Sequence, residues 1–520
     1  MKKLTILISF LLFCSSLNTE FLSAQTGKSD YDKWKEQQDN EFKKYQEKNR
    51  KEYDDYRAKV NAEYAEYMRK TWESFSSQRA IPAPKAPEPA TQPKVEPEAK
   101  PTAEQLPVAK VTPVPVILPS PQPVTSGEPA ASEPEKTEQP NQEKPQTPKN
   151  DIVKQQQTPS EKPAFSFLFF NTECNVTLND ALRFSLPDVS EQNVANTWKK
   201  LSTSQYNAML NECLALRDKL NLSDWGYFQL LKSMSEKFLG KTSNEAVLLQ
   251  MYILTQSGYK VRIAKAGSRL VLLIPFNETI YEYSYLNIGG IKYYITNREL
   301  QGSSYSMCNQ EFPKEQFFSW QTKQPKLTEK LNSPKTFTSK AVPGINLSIK
   351  TNQSLIDYYN SYPLSSQWNL YTLTGLSETV KKVLYPELQR AIAGKTKPQA
   401  ADVLLHFLQT TFAYQTDDQQ FGYERPFFAD ENFFYPANNC KDRAILYCLL
   451  VKELLGLESV LLEYPQHLAT AVYFQENVNG DFITINNKKF IICDPTYIGA
   501  NIGMAMPDCK KVSANVVKIW

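Results

Sequence analysis

A thiol, an imidazole and a carboxylate stand at equal intervals near the C-terminal end of this 520-residue chain: Cys440, His467 and Asp494, 27 residues apart each time. In that order they supply the parts of a nucleophilic acyl-transfer site. The thiolate attacks, the imidazole holds the thiol proton and returns it to the leaving group, and the carboxylate fixes the imidazole tautomer. Cys440 opens the run Cys440-Lys441-Asp442-Arg443-Ala444-Ile445-Leu446, which stays apolar to Leu455 and stops at Gly456. This reads as a helix with Asn439 as N-cap and Gly456 as its C-terminal signal. A thiol in the first turn of a helix sees unpaired N–H groups and the positive end of the dipole, and Lys441 and Arg443 add positive charge beside it.

Short strand-like runs follow at 460–464, 467–474 and 489–493, with Asn479-Gly480 as the expected hairpin turn between the last two. His467 heads the second run, and Asp494-Pro495-Thr496 follows the third. Residues 402–411 read as an amphipathic helix ahead of the site, and the other histidine, His406, falls in Leu404-Leu405-His406-Phe407-Leu408 as a packed helix residue. Residues 439–456, 464–472 and 490–497 together resemble the transglutaminase-like branch of the papain-like cysteine fold. In that family a Cys opens the central helix, a His begins a strand, and an Asp precedes Pro-Thr at the end of the next strand.

The resemblance covers roughly residues 395–505. It implies an α+β domain, a central helix packed on an antiparallel sheet, with Cys440 as nucleophile, His467 as base and later acid, and Asp494 as orienter. It also implies a protein or peptide amide as substrate and no cofactor. The chain departs from the pattern at Gln466, where a Gly is expected. The Cys440 N–H is one oxyanion donor, and no Trp or Gln is placed to supply the second.

The preceding half repeats the pattern without its chemistry. Ser243-Asn244-Glu245-Ala246 leads an apolar run to Ser257-Gly258, with Ala246 and Gly258 spaced as Ala444 and Gly456 are. Under that offset Thr242 stands for Cys440 and Arg269 for His467, and a one-residue slip sets Asn297 against Asp494. Thr, Arg and Asn offer neither an activated thiol nor a base near neutral pH. The expectation is a degenerate transglutaminase-like domain over 164–325 before a triad-bearing one over 326–520, with residues 320–395 as connector and leading elements.

The rest of the chain reads as export and spacing. Residues 1–24 have a basic start, an apolar stretch too short to span a bilayer and Leu22-Ser23-Ala24 before Gln25, the form of a signal peptide, so the chain is expected in the periplasm, at the cell surface or secreted. Residues 25–79 read as a long charged helix in which Tyr31/Trp34, Phe42/Tyr45, Tyr53/Tyr56 and Tyr64/Tyr67 recur every 11 residues, an aromatic stripe suited to self-association or partner docking, or else a solvated spacer. Residues 80–163 hold 20 of the 34 prolines and read as a disordered linker.

A formal charge of +3 provides no field for nucleic acid. Two histidines and no Cys-x-x-Cys pair argue against a zinc site, and there is no phosphate-cradling glycine loop. Two classes of function remain. One is a cysteine enzyme acting on amide bonds through a thioester, as peptidase, deamidase or acyl transferase. The other is a non-catalytic exported scaffold built on the same domains.

Overall fold

The computed structural model describes residues 30–83, 102–114, 119–123, 165–298, 304–365 and 367–519. The expected signal peptide lies outside them, as do residues 84–101, 115–118 and 124–163 of the expected linker. Among the described residues no helix is long and apolar enough to cross a membrane. The chain divides into two compact units: Asp30–Asn61 belongs to one, and all other described residues belong to the second. A single helix, α1 (Asp30–Met68), runs through both.

The second unit is mixed α and β, built on two six-stranded sheets. Strands β1 (Glu73–Ser76) and β2 (Val108–Thr112) come from upstream of both sheets. The first sheet adds β3 (Arg262–Ala266), β4 (Arg269–Pro275), β5 (Tyr285–Ile288), β6 (Ile291–Ile295) and β7 (Ser304–Cys308). The second adds β8 (Ser459–Tyr464), β9 (His467–Tyr473), β10 (Phe482–Ile485), β11 (Lys488–Cys493) and β12 (Ala514–Lys518). Their orders are β1-β7-β3-β4-β6-β5 and β2-β12-β8-β9-β11-β10.

The two orders correspond strand for strand, and so does the register. Ala266 faces Arg269 across the first hairpin as Tyr464 faces His467 across the second. Tyr285 pairs with Tyr294 as Phe482 pairs with Ile491. Only the borrowed edge strand differs, antiparallel in the first sheet and parallel in the second.

Each sheet carries a helix on one face. Helix α2 (Asn244–Gln256) packs on β4, and α4 (Cys440–Leu450) packs on β9 with α3 (Lys397–Thr411) behind it. The other face of the second sheet is covered by Tyr497, Met504, Met506 and Cys509 from the loop after β11, and by Leu106. With both faces covered, β9 is buried along nearly its whole length, which is why it reads as a continuous run rather than an alternating one. Helix α4 loosens into a π-helical turn over Val451–Leu455 and ends at Gly456, whose φ of 65° is the left-handed stop expected of glycine.

Three expectations need correction. The N-terminal helix stops at Met68, where the Trp72 indole bonds the Met68 carbonyl, and Phe75 belongs to β1. Tyr64, one of the repeat aromatics, is buried against Trp198 and Phe312 of this same chain, with centroids 5.0 and 5.4 Å away, while Tyr67 stays exposed. The side chains of Tyr31, Trp34, Phe42, Tyr45 and Tyr53 lie outside the described residues.

Residues 102–114 and 119–123 of the expected linker are ordered. Leu106 is core, β2 extends the second sheet, and Asp481 accepts from Thr102 Oγ1 (2.7 Å) and the Glu104 N–H (3.1 Å). Finally, the two strands expected to form one hairpin do pair in the sheet, but β10 intervenes between them in sequence and forms the hairpin with β11. The turn is made by Asn486 and Asn487 at φ 50° and 62°, while Gly480 is needed because a Cβ there would meet the Gly503 backbone.

Candidate active site

The first turn of α4 places Cys440 at its opening position, fully enclosed. Asp442, three residues after Asn439, accepts the Asn439 N–H (3.0 Å) and the Phe427 N–H (3.0 Å), tying the segment at Phe427 to the helix start. Asn439 is the N-cap by position, but its side chain makes no cap bond; its amide donates to Asp417 Oδ1 at 2.8 Å instead. Lys441, read from sequence as a positive neighbour of the thiol, turns away into a buried ion cluster with Asp417 and Glu424, the latter at 3.1 Å. Its charge is spent there.

His467 is the first residue of β9, held opposite Tyr464 by the two-residue turn Pro465-Gln466, and its ring stacks on that of Tyr464 at 6.5 Å. Its Nε2 lies 2.7 Å from Asp494 Oδ2. Burial alone would pull the imidazole down. The Asp494 carboxylate, by charge and hydrogen bond, and the adjacent Cys440 thiol together outweigh it and hold the group at about 10. The Cys440 thiol acts on the same ring by hydrogen bond and charge, and among the described residues the other ring nitrogen, Nδ1, has no further partner. With one nitrogen fixed by a carboxylate, the other remains to exchange a proton with the thiol.

Asp494 is fixed in turn. Its Oδ1 accepts the N–H groups of Thr496 (2.9 Å) and Tyr497 (3.3 Å), so Asp-Pro-Thr is at once a turn and a site. The structure thus gathers all three residues read from the sequence, contributed by the start of α4, the start of β9 and the residue after β11.

Sequence reasoning missed Gln409 on α3. Its buried Nε2 reaches the carbonyls of Asp494 (3.2 Å), Tyr497 (2.9 Å) and Ala500 (2.9 Å), and its Oε1 accepts the Gly499 N–H (3.1 Å). His406, expected to be packed in the helix interior, is only half-buried. It joins the same seam through Gln409 Oε1 (3.0 Å) and Asn501 Oδ1 (2.8 Å). A glutamine one turn beyond a histidine in an apolar run was the available signal.

Two more groups flank the thiol. Tyr414 and Asn438 pair across a two-residue parallel strand contact, and the buried Tyr414 hydroxyl has no hydrogen-bond partner among the described residues. Burial first, then the charge at Cys440, push that phenol far above its usual range. Arg443, one turn along α4 from Cys440, is enclosed completely and is pushed down to about 10 by burial.

The corresponding positions of the first half hold other chemistry: the Arg269 guanidinium donates to the Thr242 carbonyl, and Thr242 sits at φ 54°. A 740 Å³ cavity lined by Phe317, Trp320, Trp368 and Glu463 includes none of Cys440, His467 and Asp494. Among the described residues no cluster of His, Cys, Asp or Glu could hold a metal ion, and the seven cysteines there form no disulfide. No protein-family profile, curated protein or solved structure matches the chain.

Proposed function

We propose that the second half is a transglutaminase-like cysteine enzyme of an exported protein, which acts on amide bonds of a protein or peptide through a thioester on Cys440. The observation that carries this reading is the 2.7 Å contact between His467 Nε2 and Asp494 Oδ2, with the helix-opening Cys440 thiol acting on the same imidazole. Cys440 Sγ attacks the carbonyl carbon, and the Cys440 N–H and the Tyr414 hydroxyl are the candidate donors to the oxyanion. His467 protonates the leaving amine, and water or an amine then resolves the thioester. The equivalent strand order of the two sheets supports the first half as a degenerate copy, with Thr242, Arg269 and Asn297 at the three positions.

One observation favours the scaffold reading: Cys440 is sealed from solvent, so a substrate must displace whatever covers it. Iodoacetamide labelling of the native full chain between about pH 4 and 9, with the labelled cysteines located by mass spectrometry, separates the two. Selective labelling of Cys440 on the acid side of the ordinary thiol range, lost in His467→Ala and absent in Cys440→Ala, is the expected result. A Cys440 that labels as the other cysteines do, whether or not His467 is present, makes the domain a scaffold.

A further inference from the structure

Among the described residues, Arg443 is a buried cation without a counter-ion at bonding distance. Its Nε donates to Asn438 Oδ1 and its Nη2 to the Phe412 carbonyl, both at 2.8 Å and both neutral oxygens. Its Nη1 is enclosed and has no hydrogen-bond partner among the described residues. The nearest acid in sequence, Asp442, is committed to the Asn439 and Phe427 N–H groups. A guanidinium in this position has exchanged water for two neutral acceptors, an arrangement that normally demands a carboxylate.

The two bonds also aim it. Asn438 lies two residues before Cys440 and Phe412 two before Tyr414, so Arg443 bridges both segments that lead into the site. Its Cζ lies 5.4 Å from the centre of the Tyr414 ring. On α4 it sits three residues beyond Cys440, the spacing that puts two side chains on one helix face.

Asp442 and Asp494 act on Arg443 through space, but neither is bonded to it. We propose that Arg443 is the electrostatic counterpart of the reacting centre: with no acid bonded to it, its charge can stabilise the negative charge that appears on Cys440 and on the oxyanion. This rests on the acyl-transfer reading above. As the Sγ–C bond forms, the carbonyl π pair moves onto oxygen, and the Tyr414 O–H donates a hydrogen bond to it without giving up its proton. The guanidinium over the Tyr414 ring makes that phenol a stronger donor. When the intermediate collapses, the C–N bond breaks and the amine takes its proton from His467. Arg443 touches no reacting atom in this scheme and is a positioning residue, acting through Tyr414 and the thiolate.

The test is the ratio of iodoacetamide labelling rates of Cys440 at about pH 6 and pH 9 in the full chain, which cancels differences in access to the buried thiol. An opposite charge at this range shifts a titration by one unit or more, so Arg443→Gln is expected to lower the ratio about tenfold, and Arg443→Lys to restore most of it. Asn438→Asp, which sets a carboxylate against Nε and leaves Arg443 in place, is expected to lower it as well and decides the matter should Arg443→Gln not fold. A ratio unchanged in Arg443→Gln or in Asn438→Asp while His467→Ala lowers it overturns the role of Arg443 and leaves the enzyme reading standing. A lysine variant as poor as the glutamine one overturns it too, by showing that shape rather than charge is needed. A ratio insensitive to His467 and to Arg443 alike removes the enzyme reading and this role with it.

Discussion

At Asp442 burial and position pull on one carboxylate. It accepts the two N–H groups that shape the first turn of α4, yet it is fully enclosed, and burial pushes it up to about 7 against the pull of Lys441. Glu424 and Glu431 are likewise pushed up to about 7, chiefly by burial, with Lys441 and Arg425 as their partial compensation. His467 is held up at about 10 although burial opposes it, because Asp494 outweighs burial.

All four groups bind a proton more tightly folded than unfolded, so each contributes stability that is complete below its unfolded value and lost as pH climbs through its folded one. For the acids that window runs from about 4 to about 7, and for His467 from about 6.5 to about 10. The thermal midpoint of the full chain should therefore be lower at about pH 8.5 than at about pH 6, by of the order of 5 °C, and Asp442→Asn should narrow the gap. Differential scanning fluorimetry at the two pH values measures it; a midpoint that rises with pH contradicts the assigned directions.

The element that orders the site is α3 as much as α4. Gln409 spends its amide on three backbone carbonyls and one N–H of the loop after β11, and that loop carries Asp494. Gln409→Leu keeps the bulk and orphans buried carbonyls, so it should cost about 3 kcal/mol in chemical denaturation and slow acid-side labelling of Cys440 with His467 intact. Denaturation at the wild-type midpoint would show that the clamp carries no load.

The partners of Gln409 were not readable from sequence, because the contact joins residues 85 and more apart and a polar residue in an apolar helix signals a contact without naming its partner. Local features fared differently. Cys440 opens its helix, His467 opens its strand and Gly456 ends the helix as read, since each is decided by the few residues around it. Asn486-Asn487 was passed over as a turn for the more usual Asn-Gly nearby, whose glycine answers instead to the backbone of Gly503. Arg443 and Lys441 looked alike in sequence, the immediate neighbours of Asp442 on either side. Only three-dimensional packing gives Lys441 its acids and denies them to Arg443.

At the scale of the second compact unit, the segment richest in proline stitches the two halves together. Composition averaged over 80–163 hides a five-residue strand and a buried leucine, because both are outnumbered by the prolines around them. Strand β2 closes the edge of the second sheet. A few residues later, the Pro121 carbonyl accepts from Arg217 Nη1 at 2.9 Å, and the Gln122 carbonyl fills the space that a Cβ on Gly258 would need, both in the first half. Strand β1 closes the edge of the first sheet in the same way. A chain beginning at residue 164 would therefore lose both borrowed edges and present unpaired N–H and C=O rows on β7 and β12, the usual template for edge-to-edge aggregation.

Leu106→Ala in the full chain tests the stitch without removing it. A leucine at 2 % exposure packed among Tyr464, Ile483 and Ala514 should cost about 2–5 kcal/mol on truncation, read as a fall in the denaturant midpoint. A disordered linker would give no change. If Leu106→Ala unfolds at the wild-type midpoint while Leu462→Ala, in the same core, does not, the segment is a passenger and the second sheet ends at β12.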